Sequence, residues 1–407
     1  MGVVSGLKVK VKSLNITLID VLWFIYLIYM NTYYSTPRIP MLFVLGIAFM
    51  SVLTMFKRSF TRFGYYLKQL NIFFIYLAFF IYVLASSLWR MSPRVASATL
   101  ENEMFRLVLL FFSLGIYCTD WEKCKRMMYM ILFTTAYFAI VYLATSPVKT
   151  YGTTNMGGIT FIWRNVASYI GMGVGFLGVY LIGQSKKMLT KILVIVSIAI
   201  CIIMALITGS RKGIFQIVLY FGLYVVLQKG LAQKIKAIAI IVILVLLGVY
   251  IIQQYEFLGY AYIERMMGIF DKSYDDGSVE ARDFLMQTGI DIFKQRPIFG
   301  AGADAVRSYL GYAGNKNVSY SHSNYIELLA SFGIVGTLIY YWYFLKQTIF
   351  ALFNKNKDKD RFLIYAAAIL ITMFILDYVM MTYNIRQNIF LLYFVVRCIE
   401  VKRKTIK

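Results

Sequence analysis

Apolar runs close to the length of a bilayer crossing recur along almost the whole chain, and they constrain its fold more than any other feature. About 18 to 20 consecutive apolar residues are enough to cross the hydrocarbon core as a helix. Inside that core a backbone has to satisfy its own hydrogen bonds, which a helix does within one segment. Hydrophobic residues make up 60% of the 407-residue chain and charged residues 15%, and the mean hydropathy is +0.68. The pattern predicts an all-α polytopic membrane protein of about twelve transmembrane helices. They fall near 14–30, 39–56, 70–89, 104–118, 127–145, 164–183, 190–208, 213–228, 235–252, 324–345, 362–381 and 386–399. Organisation follows directly: residues 1–252 hold helices one to nine, 253–322 form one large extracytoplasmic loop, and 323–407 hold helices ten to twelve and a cytoplasmic tail.

Charge sets the orientation. With the N-terminus in the cytoplasm, roughly 26 of the 42 basic residues fall in inside loops, as the excess of Lys and Arg on cytoplasmic segments requires. Both termini are then cytoplasmic. The net charge of +23 is a topological signal rather than a nucleic-acid footprint, because no soluble module interleaves basic and aromatic residues. Inside, the basic residues are mostly Lys; outside, mostly Arg, among them Arg38, Arg90, Arg94, Arg106, Arg164, Arg211, Arg265, Arg282, Arg296, Arg307 and Arg386. A lysine is sufficient to face anionic lipid, whereas a guanidinium fork matches phosphate in bidentate fashion. Arginines kept on the outer side therefore point to an anionic ligand. Ionisable residues within spans, Asp20, Arg106, Arg164 and Asp377, lie towards helix ends.

Soluble-protein patterning returns in the large loop. Asp271 to Gly277 reads as a turn whose acidic spacing does not complete a calcium loop. Ser278 is the expected N-cap of a helix running to about Gln295, with Ala281, Phe284, Leu285, Thr288 and Ile292 at helical spacing on a face expected to lie along the membrane surface. Pro297 ends it, and Gly300 and Gly302 predict a tight turn packed against the spans. The Gly- and Thr-rich stretch 147–163 is a second outer connection. None of the four cysteines falls outside, so no disulfide framework and no Cys/His metal site is implied.

The single histidine of the chain, His322, stands where this loop meets the next span. With an unperturbed pKa near 6.5 it is suited to accept a proton from an attacking hydroxyl at neutral pH. No Walker loop, dinucleotide fingerprint or Asp-x-Asp metal pair accompanies it. A donor used outside the cell must carry its own leaving group, and a lipid-linked diphosphate suits many arginines.

His322-Ser323, nine residues and Gly333-Ile334-Val335-Gly336 resemble the His-[Asn/Ser/Gln]-x9-Gly-x-x-[Gly/Thr/Tyr] pattern of the O-antigen ligase and Wzy-type polymerase superfamily. Three further pieces come in that family's order: Thr208-Gly209-Ser210-Arg211-Lys212-Gly213, Arg282 after Gly277-Ser278, and Arg296 to Gly302. The resemblance implies a metal-independent membrane glycosyltransferase of GT-C-like architecture, without a cofactor, at the outer face of the bacterial cytoplasmic membrane. Its substrates would be undecaprenyl-diphosphate-linked glycans as donor and acceptor, and a chain-length regulator and a flippase would be partners beside membrane lipid. His322 would be the general base, Arg211 and Arg282 would bind the diphosphate, and Arg265 would join them by position. Glu327 follows His322 by five residues and is a candidate for orienting the imidazole, with packing or capping as its other reading. The expected reaction is polymerisation of repeat units into an O-antigen, capsule or exopolysaccharide. The alternatives are ligation of the glycan to lipid A core or another acceptor, and, in a different class, transport or flipping of the polysaccharide.

Overall fold

A computed structural model of the chain describes all residues except 1–8, 12–13, 33–37, 58–62, 91–97, 146–163, 209, 229, scattered positions between 233 and 246, 247–276, 314–318, 355–360 and 407. Most of the expected span 235–252, the connection 147–163, the turn 271–276 and Arg265 lie outside the described residues. The described residues are predominantly helical, and five helices are long and apolar enough to cross a membrane: Asn71–Trp89, Trp121–Thr145, Val166–Gln184, Met188–Ile207 and Asn324–Phe353. Four shorter apolar helices accompany them. The chain divides into two compact units, residues 1–72 with 109–208, and residues 73–108 with 209–407.

In the first unit a short antiparallel hairpin, β1 (Val9–Val11) and β2 (Leu14–Ile16), precedes α1 (Leu18–Thr32), so the first helix starts later than the run from residue 14 suggests. The sequence Thr-x-x-Asp fixes that start: the Asp20 carboxylate accepts from the Thr17 N–H and hydroxyl, each at 2.7 Å, which satisfies a backbone N–H at the helix entrance. The same carboxylate receives the Tyr117 hydroxyl and, at 2.8 Å, Arg126, which ties α1 to the end of α5 (Ala98–Tyr117) and to α6 (Trp121–Thr145). Helices α2 (Arg38–Lys57) and α3 (Phe63–Leu67) follow α1, and α4 (Asn71–Ala85) crosses into the second unit. Close packing of α7 (Arg164–Gln184) on α8 (Met188–Ile207) rests on small residues: a Cβ at Gly171 would meet the Cys201 carbonyl oxygen at 2.6 Å, and one at Gly178 would meet Ile198 at 2.7 Å.

The second unit contains α9 (Arg211–Leu227), α10 (Gly277–Gln295), α11 (Ala305–Tyr312), α12 (Asn324–Phe353), α13 (Arg361–Leu376) and α14 (Arg386–Ile406). Helix α10 starts at Gly277, one residue before the expected start at Ser278. Leu285, Thr288 and Ile292 are buried, whereas Phe284 is 55% exposed. Leu285 and Ile292 share a core with Ala301, Ala305, Val306, Leu310 and Ala330, and a Cβ at Gly289 would strike Ile326 at 2.4 Å. The apolar stripe is thus covered by α11 and α12, which corrects the expectation that it would lie on the membrane: residues 285, 289 and 292 meet Val306, Leu310, Ile326 and Ala330 instead.

Helix α12 is longer than the expected 324–345, and it is broken. At Gly333 the backbone adopts φ 62° and ψ −168°. Around this point two intrahelical hydrogen bonds are exchanged for bonds to the loop after α10. The carbonyls of Ala330 and Ser331 accept from the N–H groups of Ala301 and Gly302, each at 2.9 Å, while the N–H groups of Ile334 and Val335 donate to Pro297 and Ile298 at 2.9 and 3.2 Å. The next carbonyl, Phe332, accepts from the Tyr82 hydroxyl at 2.9 Å. These bonds pair the carbonyls of residues 330–332 and the N–H groups of 334 and 335, which is what makes an interruption tolerable in an apolar setting. The approach requires glycine on both sides: a Cβ on Gly300 would lie 2.5 Å from the Gly333 nitrogen, and one on Gly333 would lie 2.3 Å from the Ile298 carbonyl oxygen. The turn expected at Gly300 and Gly302 therefore packs into a helix, and the first glycine of the His-x-type pattern is where that helix opens to receive it.

Candidate functional site

His322 sits at the start of α12 in the left-handed region, φ 59°. For a residue with a Cβ this costs on the order of 1–2 kcal/mol, so its neighbours have to hold it. On the upstream side the Ser321 N–H donates to the Glu327 carboxylate at 2.9 Å and the Ser321 hydroxyl to the Ser323 carbonyl at 2.9 Å. Downstream, the Asn324 N–H donates to the carbonyls of Asp377 and Met380 at 2.7 and 3.0 Å. Glu327 is fully buried, and its described contact is with the backbone next to His322, not with the imidazole. The five-residue spacing explains this: the carboxylate reaches back over the first helical turn to a free N–H, as a capping residue does.

The imidazole is half enclosed and lies against the Tyr320 ring, with centroids 4.4 Å apart. Burial lowers its pKa, and the positive charges of Arg282 and Lys212 lower it further, to about 4. The ordinary value near 6.5 assumed from sequence is therefore corrected downwards: at neutral pH the ring is uncharged, and it is a weaker base than a free imidazole. Tyr320 is pushed up by burial, against the pull of Arg282 and Arg307. Asp304, buried and in the left-handed region at φ 56°, is likewise raised by burial and held back by Arg307 and Arg90. Arg307 lies 3.9 Å from its carboxylate.

Arg282 reaches this place because of its register on α10. It precedes Leu285 by three residues and Gly289 by seven, which sets it on the face that docks on α12. Lys212 comes from the first turn of α9 and donates to the Val379 carbonyl. Arg211 opens α9, and the structure describes its main chain but not its side chain. Of the residues singled out from sequence, His322 and Arg282 are brought together electrostatically, Glu327 accepts from the backbone of Ser321 beside His322, and Arg265 is outside the described residues. Sequence reasoning passed over Lys212, although it stands inside the Thr208–Gly213 motif, because one turn with two charges does not say which of them faces inward. Tyr320 was missed too, its only signal being its place two residues before the histidine.

An uncharged imidazole with the charges of Arg282 and Lys212 felt at it forms a set able to deprotonate a hydroxyl while stabilising an oxyanionic leaving group. Comparison with known proteins bears on the same stretch. Residues 196–341 match the family model described as O-antigen ligase (Wzy_C). No curated protein matches the chain.

Proposed function

We propose that this membrane protein, whose residues 196–341 match the O-antigen ligase family model, polymerises undecaprenyl-diphosphate-linked oligosaccharide repeat units by inverting glycosyl transfer at the outer face of the cytoplasmic membrane. The observation that supports this best is the uncharged, partly buried His322 at the start of α12, where the charges of Arg282 and Lys212 are felt. In the proposed reaction His322 takes the proton of the acceptor hydroxyl, and the oxygen attacks the anomeric carbon of the donor. The bond to the diphosphate breaks on the opposite side, with inversion. The leaving lipid diphosphate carries away the electron pair, and Arg282, Lys212 and Arg211 meet its charge. Fixed cations at a developing negative charge supply the largest single contribution in reactions of this kind, and here they are the protein's own side chains, with no metal ion required by the step.

Ligation of the glycan to lipid A core is the second reading, since the family description names a ligase. Both transfers use the same donor and the same base and differ in the acceptor. Purified protein given one lipid-linked repeat unit and no other acceptor separates them. A ladder of products on gels of the extracted lipid-linked glycans is the expected result. No product until a core oligosaccharide is added would overturn the polymerase reading in favour of the ligase.

A further inference from the structure

The structure assigns a further positioning element to this site: we infer that the connection between α13 and α14, centred on the Asp377 carboxylate, sets the geometry of His322. The inference rests on the reading of His322 as the base. It starts from a departure from the sequence expectation. The eleventh apolar run extends to 381, yet α13 ends at Leu376, and the remaining residues turn away to meet the start of α12.

What they meet is the residue pair after the histidine. The Asn324 N–H donates to the carbonyls of Asp377 and Met380, and the Ser323 hydroxyl donates to the Asp377 carbonyl at 3.4 Å. The Asn324 side chain answers in both directions. Its carbonyl accepts the N–H groups of Thr382 and Tyr383, each at 2.9 Å, and its amide donates to the Asp377 carboxylate at 3.1 Å and to Tyr341 at 2.8 Å. The carboxylate also receives the Tyr341 and Thr382 hydroxyls, each at 2.6 Å. Asp377, Asn324 and Thr382 are all buried. Lys212, whose charge is felt at His322, donates to Val379 of the same connection. One turn therefore carries both the backbone that follows the base and the cation beside it. Five of its bonds land on residue 324, two of them on its backbone N–H, and one on the residue 323 hydroxyl, directly after a residue held in the left-handed region, so a shift of the turn is passed to the imidazole through two peptide units.

A polar network that only stabilised the fold would predict something different from one that positions a base, and Thr382 separates the two. Thr382→Val is nearly isosteric but removes the hydroxyl from the Asp377 carboxylate; Thr382→Ser keeps it. Purified in lipid nanodiscs, the valine variant is expected to lose about tenfold to a hundredfold in kcat, the size of effect that an ångström-scale misplacement produces, with the KM for donor unchanged. Serine is expected to restore kcat. Because the chain has one histidine, the imidazole signal of protein labelled at histidine and free of a histidine tag reports His322 alone. That signal is expected to move in Thr382→Val and in Asp377→Asn and to return in Thr382→Ser. A lower melting temperature with both kcat and the imidazole signal unchanged would overturn the inference. If the wild type transfers no glycan at all, the reading of His322 as the base fails, and the imidazole signal still decides whether this connection positions the ring.

Discussion

His322→Ala is expected to reach the membrane and fold as the wild type does, while glycan transfer falls by about 10²–10⁴-fold, the contribution typical of a positioned general base. The fold should survive because the bonds that secure this stretch are made by Ser321, Ser323, Asn324 and Glu327 and not by the imidazole. Alanine is less at ease than histidine in the left-handed region, so His322→Asn is the necessary companion: asparagine enters that region readily but cannot act as the base. Both variants should leave extracted glycans as single repeat units, with normal amounts of protein in the membrane fraction. Long chains in either variant would remove His322 from the chemistry.

Arg282→Gln is expected to cost about 10²–10³-fold in kcat, the loss seen when one fixed donor to a developing negative charge is removed. Arg282→Lys should recover only part of this, because it restores the charge without the two-pronged fork that fits a phosphate. Neither change should unfold the protein: Leu285 and Ile292 carry the burial of α10 further along the helix. The variants also act on the base itself. Arg282 is one of the two cations that lower the pKa of His322, so the glutamine variant should show its imidazole titrating at higher pH than the wild type. Steady-state kinetics on purified protein tests the first effect, and an unchanged kcat would exclude Arg282 from leaving-group stabilisation.

Much of this was legible from sequence because the strongest signals are local. Long apolar runs foretold the helices, although α1 begins after a hairpin and α13 stops at Leu376. The helix Gly277–Gln295 followed from its polar start and from Pro297 beyond its end. What escaped depends on partners far away in the chain. Nothing in the apolar run around Gly333 marks a break, because the hydrogen bonds that compensate for it come from residues 297–302. Asp377 read as an ionisable residue near a helix end, since its hydrogen-bond donors, Asn324, Tyr341 and Thr382, stand on three separate stretches. The buried face of α10 was drawn to include Phe284 because hydrophobicity alone favours it; packing chose the row through Arg282, Leu285 and Gly289 instead. His322 read as an ordinary imidazole because the burial that depresses it, and the cations from α9 and α10 that add to it, are not local in sequence.

The same cations that lower the pKa of His322 are those proposed to hold the diphosphate, and this couples substrate to base. A bound anion offsets Arg282 and Lys212, and the imidazole becomes a stronger base when the donor is in place. The measurement that tests the account most directly is therefore the pH titration of the single histidine, by magnetic resonance on labelled protein in nanodiscs, with and without undecaprenyl diphosphate. The prediction is protonation well below 6.5 in the free protein, at about 4, and a shift upwards when undecaprenyl diphosphate is added. Titration near 6.5 in both samples, with no response to the diphosphate, would contradict the account.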